Sequence, residues 1–328
     1  MSDGIAVSVL DLVGLKAGEP AGSAIAGAIE RSVDLARHAE EWGYRRFWMA
    51  EHHSIAGLAC SATAVLIGHV AGATKQIRVG SGGVMLPNHA PLVVAEQFGT
   101  LESMYPGRID LGLGRAPGGD WATMRALRRD LKQSGDDFPA LLAELQGYLA
   151  PEQPGQAVRA IPGQGSEVPI TLLGSSGYSA QLAAQLGMPF AFAAHFAPDY
   201  LYEASRMYRT QFRPGVMEKP HLMVAVPVVA AETDARAKRL FTCPQQRFLR
   251  LVRNQPVELV PPVESMDEIE RPWSPLEREA VKAGMEDLLA RTGADEVIVV
   301  TDLYEHADRL ESYRRVAEVA REFEKAAA

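Results

Sequence analysis

From one end of the chain to the other, short continuous apolar runs alternate with stretches whose apolar residues recur every three or four positions. "IAVSVLDL" (5–12) reads as a strand, and Ile25, Ile29, Val33 and Ala36 then keep helical spacing across 25–42, where Gly43 supplies a stop. The same alternation predicts strands over 44–52, 77–87, 108–116, 169–176, 189–196, 221–231 and 296–303. Helices are predicted over 60–74, 91–105, a region reaching 149, 178–186, 199–212, 233–253, 276–292 and 304–325. The helix over 60–74 is apolar nearly all round, which predicts burial on more than one side. Eight strands, each followed by a helix and with no break in composition, describe an α/β chain folded as one (β/α)8 TIM barrel over 1–328. A doubly wound open sheet is the competing architecture, but the count reaches eight and no strand reads as an antiparallel edge.

One segment breaks the rhythm. Residues 253–275, between strands seven and eight, carry five prolines and many acids. Such an insertion in a barrel reads as an active-site lid, or as a solvated excursion with no role. Composition then narrows the partners. A net charge of -8, with lysine and arginine scattered among acids, argues against nucleic acid or an anionic membrane. Two cysteines, Cys60 and Cys243, form no CxxC pair. No segment is long and apolar enough to span a bilayer, and the N-terminus lacks the basic start and cleavage site of a signal peptide. A reducing cytoplasm is the expected compartment.

Barrel chemistry sits at the C-terminal ends of the strands. Strand two ends in "RFWMAEHHS" (46–54), an apolar run that stops on Glu51, His52 and His53. Adjacent strand residues point to opposite faces, so His52 and His53 are not expected to share a metal, and no metal site is predicted. No GxSxG elbow supports a serine nucleophile either. In "LLGSSGYSAQ" (172–181) a strand turns at Gly174 into a helix, so free backbone N–H groups with the Ser176 and Ser179 hydroxyls form a candidate anion site. Plain N-capping by Ser176 is the simpler reading. "DLGLGRAPGGD" (110–120) places Gly112 and Gly114 inside a strand and Arg115 at its end. "GSGGVMLP" (80–87) does the same with Gly82, Gly83 and Met85. Glycines in barrel strands fit a flat ligand lying on the backbone, or only a bulge. Arg115 can grip an anion bidentately, or pair with a barrel acid. Together these features point to a phosphate-bearing planar cofactor, and to a flavin before a nicotinamide, since no Rossmann unit is present.

These residues carry a resemblance. "AEHH", the run from "GSGGVMLPNHAPLVVAEQFGTLESMYPGRIDLGLGRAPG", and "PFAFAAHFAP" resemble the bacterial-luciferase-like flavin oxidoreductases over most of the chain, closest to stand-alone monooxygenases that include polyketide-tailoring ones. The resemblance implies FMN in the barrel mouth, bound reduced, with O2 as co-substrate and a flavin C4a-peroxide as the oxygenating species. His52 matches the catalytic histidine, Gly82-Gly83 the peptide that is often cis under the flavin ring, Arg115 the phosphate arginine, and Ser175, Ser176 and Ser179 the phosphate turn. His52 is expected to manage protons with a near-neutral pKa. His53, Met85 and His195 are expected in the substrate pocket. Two departures weaken any carry-over of aldehyde specificity or light emission. Gly114 stands where luciferase has a reactive cysteine beside the arginine, and Ala193-Ala194-His195 stand near its tryptophan. A separate NAD(P)H:flavin reductase and a homodimer through helices 60–74 and 91–105 are the implied partners. An F420-dependent dehydrogenase, a metal-dependent barrel hydrolase and a non-catalytic flavin-binding protein are the alternatives.

Overall fold

The computed structural model describes residues 5–116, 120–127, 137–264 and 281–326. In chain order the elements are β1 (Ala6–Asp11), α1 (Ala21–Glu41), β2 (Arg46–Met49), α2 (Thr63–Ala73), β3 (Arg78–Met85), a short 3-10 turn (Leu86–Asn88), α3 (Pro91–Met104) and β4 (Ile109–Gly114). Then come α4 (Trp121–Ala126), α5 (Phe138–Leu149), β5 (Ile170–Gly174), α6 (Gly177–Leu186), β6 (Phe190–Ala193) and α7 (Leu201–Gln211). β7 (Leu222–Pro227), α8 (Asp234–Val252), α9 (Val281–Thr292), β8 (Glu296–Val300) and α10 (His306–Ala326) complete the chain. The eight strands pair in sequence order into a closed barrel, and every pairing is parallel. The chain is a (β/α)8 barrel, as its rhythm predicts. Parallel strands covered on both faces need continuous apolar sequence, and β2, β4 and β8 are buried at every position. Among the described residues no helix is long and apolar enough to cross a membrane.

The N-terminal end of the barrel is closed by a buried ion network that the strand pattern does not announce. Arg46 on β2 donates to Glu296 on β8 at 3.0 Å and to Asp110 on β4 at 2.6 Å. Arg78 reaches the other oxygen of Asp110 at 2.7 Å, and the Trp48 indole donates to Asp110 at 3.1 Å. Burial alone would raise the Glu296 carboxyl, but His221, Arg46 and Ser8 outweigh it and hold it down at about 2. This end is a plug, which leaves the opposite end for ligands.

The glycine-rich strands contain the bulge that was one of their two readings. β3 and β4 shift register between Ser81 and Val84, and the Gly82-Gly83 peptide inside the shift is cis. A Cβ at Gly112 would collide with the Ser81 carbonyl, and one at Gly83 would lie 2.7 Å from the Gly112 carbonyl. Gly82 faces Leu10 and Trp48, where a Cβ would meet Leu10 Cδ1 at 2.8 Å. Gly83 and Gly112 are required first by the close approach of two strands at a bulge, and Gly82 by the side chains of β1 and β2. The flat-ligand reading is not needed to explain Gly112.

The expected lid at 253–275 is described as far as residue 264, and the rest of it, with the start of the helix expected over 276–292, lies outside the described residues. Its first part is strapped across the C-terminal mouth. Val257 N–H donates to Ala56 at 2.8 Å, Leu259 N–H to Leu15 at 2.8 Å, and Ala17 N–H to Leu259 at 2.9 Å. Helix α2 also departs from expectation. Leu66, Ile67, Val70 and Ala71 are buried, but Val65 is 73% exposed, so its outer apolar face is uncovered by the described residues.

Candidate functional site at the barrel mouth

At the end of β2 the three polar residues separate. His52 turns into a cavity, while Glu51 is buried and turned toward the following loops. The Glu51 carboxylate accepts hydrogen bonds from His53 Nε2 at 2.8 Å, His89 Nε2 at 2.9 Å and the Met85 N–H at 3.2 Å. This cluster ties the end of β2 to the turn after β3. The donor atoms of Glu51, His53 and His89 lie within 4.8 Å of one another, close enough to ligate one ion, although hydrogen bonds already join them. His53 and Met85, expected in the substrate pocket, do not line the cavity. His53 is spent on Glu51, and Met85 packs against Gly114.

The cavity has a volume of about 110 Å³ and opens between the ends of β1, β2 and β6 to β8, under α8. Its polar residues include His52, His195, Arg247 and Asp302. Leu58, Phe241, Phe248 and Val257 supply much of its apolar wall, the last from the strapped segment after α8. Arg247 Nη1 lies 2.6 Å from Asp302 Oδ2, and both side chains are largely buried. Asp302 follows the end of β8, where barrel chemistry is expected, whereas Arg247 comes from a helix, which strand ends do not reveal. The available signal was a cation in a buried stripe: Leu240, Cys243 and Arg247 recur at helical spacing on α8. Cys60 was also missed. Its buried thiol lies 3.9 Å from His52 Nδ1, and burial pushes the thiol up to about 12, so it stays protonated.

The expected near-neutral His52 is corrected by its surroundings. Burial, then the Arg247 cation, push it down to about 4 against the pull of Glu51. His195 falls to about 4 as well, because burial outweighs the pull of Asp302, with smaller pushes downward from His52 and Arg247. Both imidazoles are therefore neutral at pH 7.

Across the mouth, β4 and β5 present a second group of residues. The Arg115 guanidinium stacks over the Tyr178 ring at 4.2 Å, which holds it above the first turn of α6. Among the described residues Arg115 has no ion-pair partner. Ser176 is the N-cap of α6 but its side chain makes no capping hydrogen bond. Free N–H groups, an unspent hydroxyl and an unpaired cation converge there, which is the donor set an anion needs. Ser175 is half-buried beside it, whereas Ser179 is buried and packs against Gly174.

Comparison with known proteins places this site in context. The profile of the family described as luciferase-like monooxygenase matches residues 7–318. The protein YvbT of Bacillus subtilis (strain 168) is 56% identical, over 91% of this chain and 93% of its own. A luciferase-like monooxygenase of Escherichia coli (strain K12) is 48% identical, over 97% of this chain and 98% of its own. An N-acetyl-S-alkylcysteine monooxygenase of Bacillus subtilis (strain 168) is 40% identical, over 72% of this chain and 70% of its own. The structure of apo-MsnO8 matches with a TM-score of 0.86 at 35% identity, covering 96% of this chain and 98% of that one. An FMN complex of the oxygenating constituent of 3,6-diketocamphane monooxygenase from Pseudomonas putida (TM-score 0.73, 17% identity, 97% of this chain and 98% of that one) shares the architecture. So does an F420-dependent secondary alcohol dehydrogenase (TM-score 0.65, 15% identity, 97% and 99%).

Proposed function

Because the chain is a monooxygenase of the luciferase-like family, we propose that it uses reduced FMN and O2 to oxygenate a small organic molecule. The observation that carries the flavin reading is the donor set at the start of α6. A phosphate needs a cation and several N–H or O–H donors, and Arg115 over Tyr178, the α6 N-terminus and the Ser175 and Ser176 hydroxyls supply them. The Gly82-Gly83 peptide supplies a wall without side chains between that site and His52. Reduced FMN, once bound, brings the electrons that activate O2.

The remaining roles belong to this chain's own residues. His52 is neutral, with Nδ1 turned to the Cys60 thiol, so Nε2 is the nitrogen left to donate to or accept from a reacting oxygen. The apolar wall and the strap over 253–264 keep water from the cavity, and the whole insertion 253–275 is proposed as the lid. Reduced flavin would come from a separate NAD(P)H:flavin reductase, the partner that the family resemblance implies. Substrate occupies the cavity beside His52 and His195. A polyketide, which the family resemblance allows, and a thioether such as that in the name of the N-acetyl-S-alkylcysteine enzyme are the candidates.

The phosphate assignment has a direct test. Arg115→Met should weaken FMN binding by roughly ten- to a hundredfold, the worth of a charged hydrogen bond, and leave riboflavin, which lacks the phosphate, almost unchanged. Fluorescence titration of both flavins measures this. Equal losses for FMN and riboflavin would remove Arg115 from the phosphate.

A further inference from the structure

The mechanism above leaves Arg247 without a task. It stands on α8, far from the anion site on β4 and β5, and its side chain is 8% exposed. Asp302 Oδ2 pairs with Nη1 as an ion at 2.6 Å, yet neither Nη1 nor Nη2 has a hydrogen-bond partner among the described residues. A buried guanidinium N–H left unpaired is costly unless a ligand completes it. The pair lines the apolar cavity that also holds His52 and His195, and His195 Nδ1 is likewise buried without a partner.

Charge decides what ligand fits. Arg247 and Asp302 cancel, and the two histidines of the cavity carry no charge at pH 7. A carboxylate brought here would face Asp302 with no surplus cation, and an ammonium would face Arg247. An uncharged group has neither difficulty. Within one small area the pair offers an N–H donor and a carboxylate with spare acceptor sites. The complement is a group that carries an acceptor beside a donor, which is a secondary amide. On the reading that this cavity is the substrate site, we propose that Arg247 and Asp302 form an amide clamp. The substrate is an uncharged apolar molecule whose secondary amide C=O accepts from Arg247 Nη2 and whose N–H donates to Asp302, with the apolar remainder among Leu58, Phe241, Phe248 and Val257. Arg247 and Asp302 are thus specificity-determining residues and not groups that act on oxygen.

The test is equilibrium binding by titration calorimetry on the full chain, with and without FMN, so that it does not depend on turnover. The probes share a size: N-butylacetamide, N-butyl-N-methylacetamide, hexanoate, hexylamine and methyl pentyl ketone. The clamp predicts that N-butylacetamide binds about tenfold or more tighter than every other probe, and that Arg247→Met and Asp302→Asn each remove that preference. Hexanoate, hexylamine or the ketone binding as tightly as the secondary amide would overturn the clamp. So would an N-methylated amide binding equally well, or no binding by any probe. The comparison of secondary with tertiary amide is made on the unaltered protein, so it stands even if a variant fails to fold. If the amide preference appears but no oxygenation is ever found, the clamp holds and the oxygenase reading is what fails.

Discussion

His52 shows how far burial can move a residue whose type is plain in the sequence. A histidine at a strand end beside a proposed flavin site suggests a near-neutral titration, but desolvation and Arg247 bring it to about 4. The sign of the consequence is fixed. The unfolded chain takes up protons on such histidines below about 6.5, while the folded chain resists until about 4, so stability is full above 6.5 and is lost as pH falls between these values. Glu296 adds a separate loss at lower pH, as pH falls from 4.5 toward about 2. Thermal melting across pH should therefore show a decline beginning near 6.5 that is shallower in His52→Gln and His195→Gln. A melting temperature unchanged down to pH 4 would contradict the depressed values. Arg115 was also legible by type, but its placement was not: that depended on Tyr178, in the first turn of α6, stacking beneath it.

Elements were legible wherever one period dominated. The eight apolar runs became the eight strands because a buried parallel strand tolerates no alternation with polar residues. What the period could not show is which side of an element is needed by whom. The glycines of β3 and β4 looked like a ligand floor, and the neighbouring carbonyls turned out to demand at least Gly112. Gly112→Ala should then cost stability by about 1–3 kcal/mol through forced separation of the two strands, seen as a lower denaturation midpoint. A midpoint equal to the parent's would show that β3 yields without cost. Helix α8 gave the opposite lesson. Its period marks the helix over nearly its full length, but nothing local marks Arg247 as a site residue, since it lies on a helix and not at a strand end.

For the whole molecule, the barrel has a sealed end and a working end. Arg46, Asp110, Arg78 and Glu296 close one, and the cavity with the Arg115 site opens at the other. That division was legible only in half, since no local pattern reveals that Arg46 and Glu296, 250 positions apart, will meet. The uncovered apolar residues of α2 and α3, Val65 at 73% exposure and Met104 at 57%, support the homodimer that the family resemblance implies. Val65→Lys with Met104→Lys should convert a dimer to monomer in sedimentation velocity, and a parent that already sediments as a monomer would refute this interface. The central claim, that this site turns O2 into an oxygenating agent beside His52, is tested most directly by stopped-flow absorbance: the protein is mixed anaerobically with photoreduced FMN and then with oxygenated buffer. The account predicts a long-lived species distinct from both reduced and oxidised flavin, which shortens in His52→Ala. Oxidation at the rate of free flavin, with no such species, would contradict it and turn attention to F420.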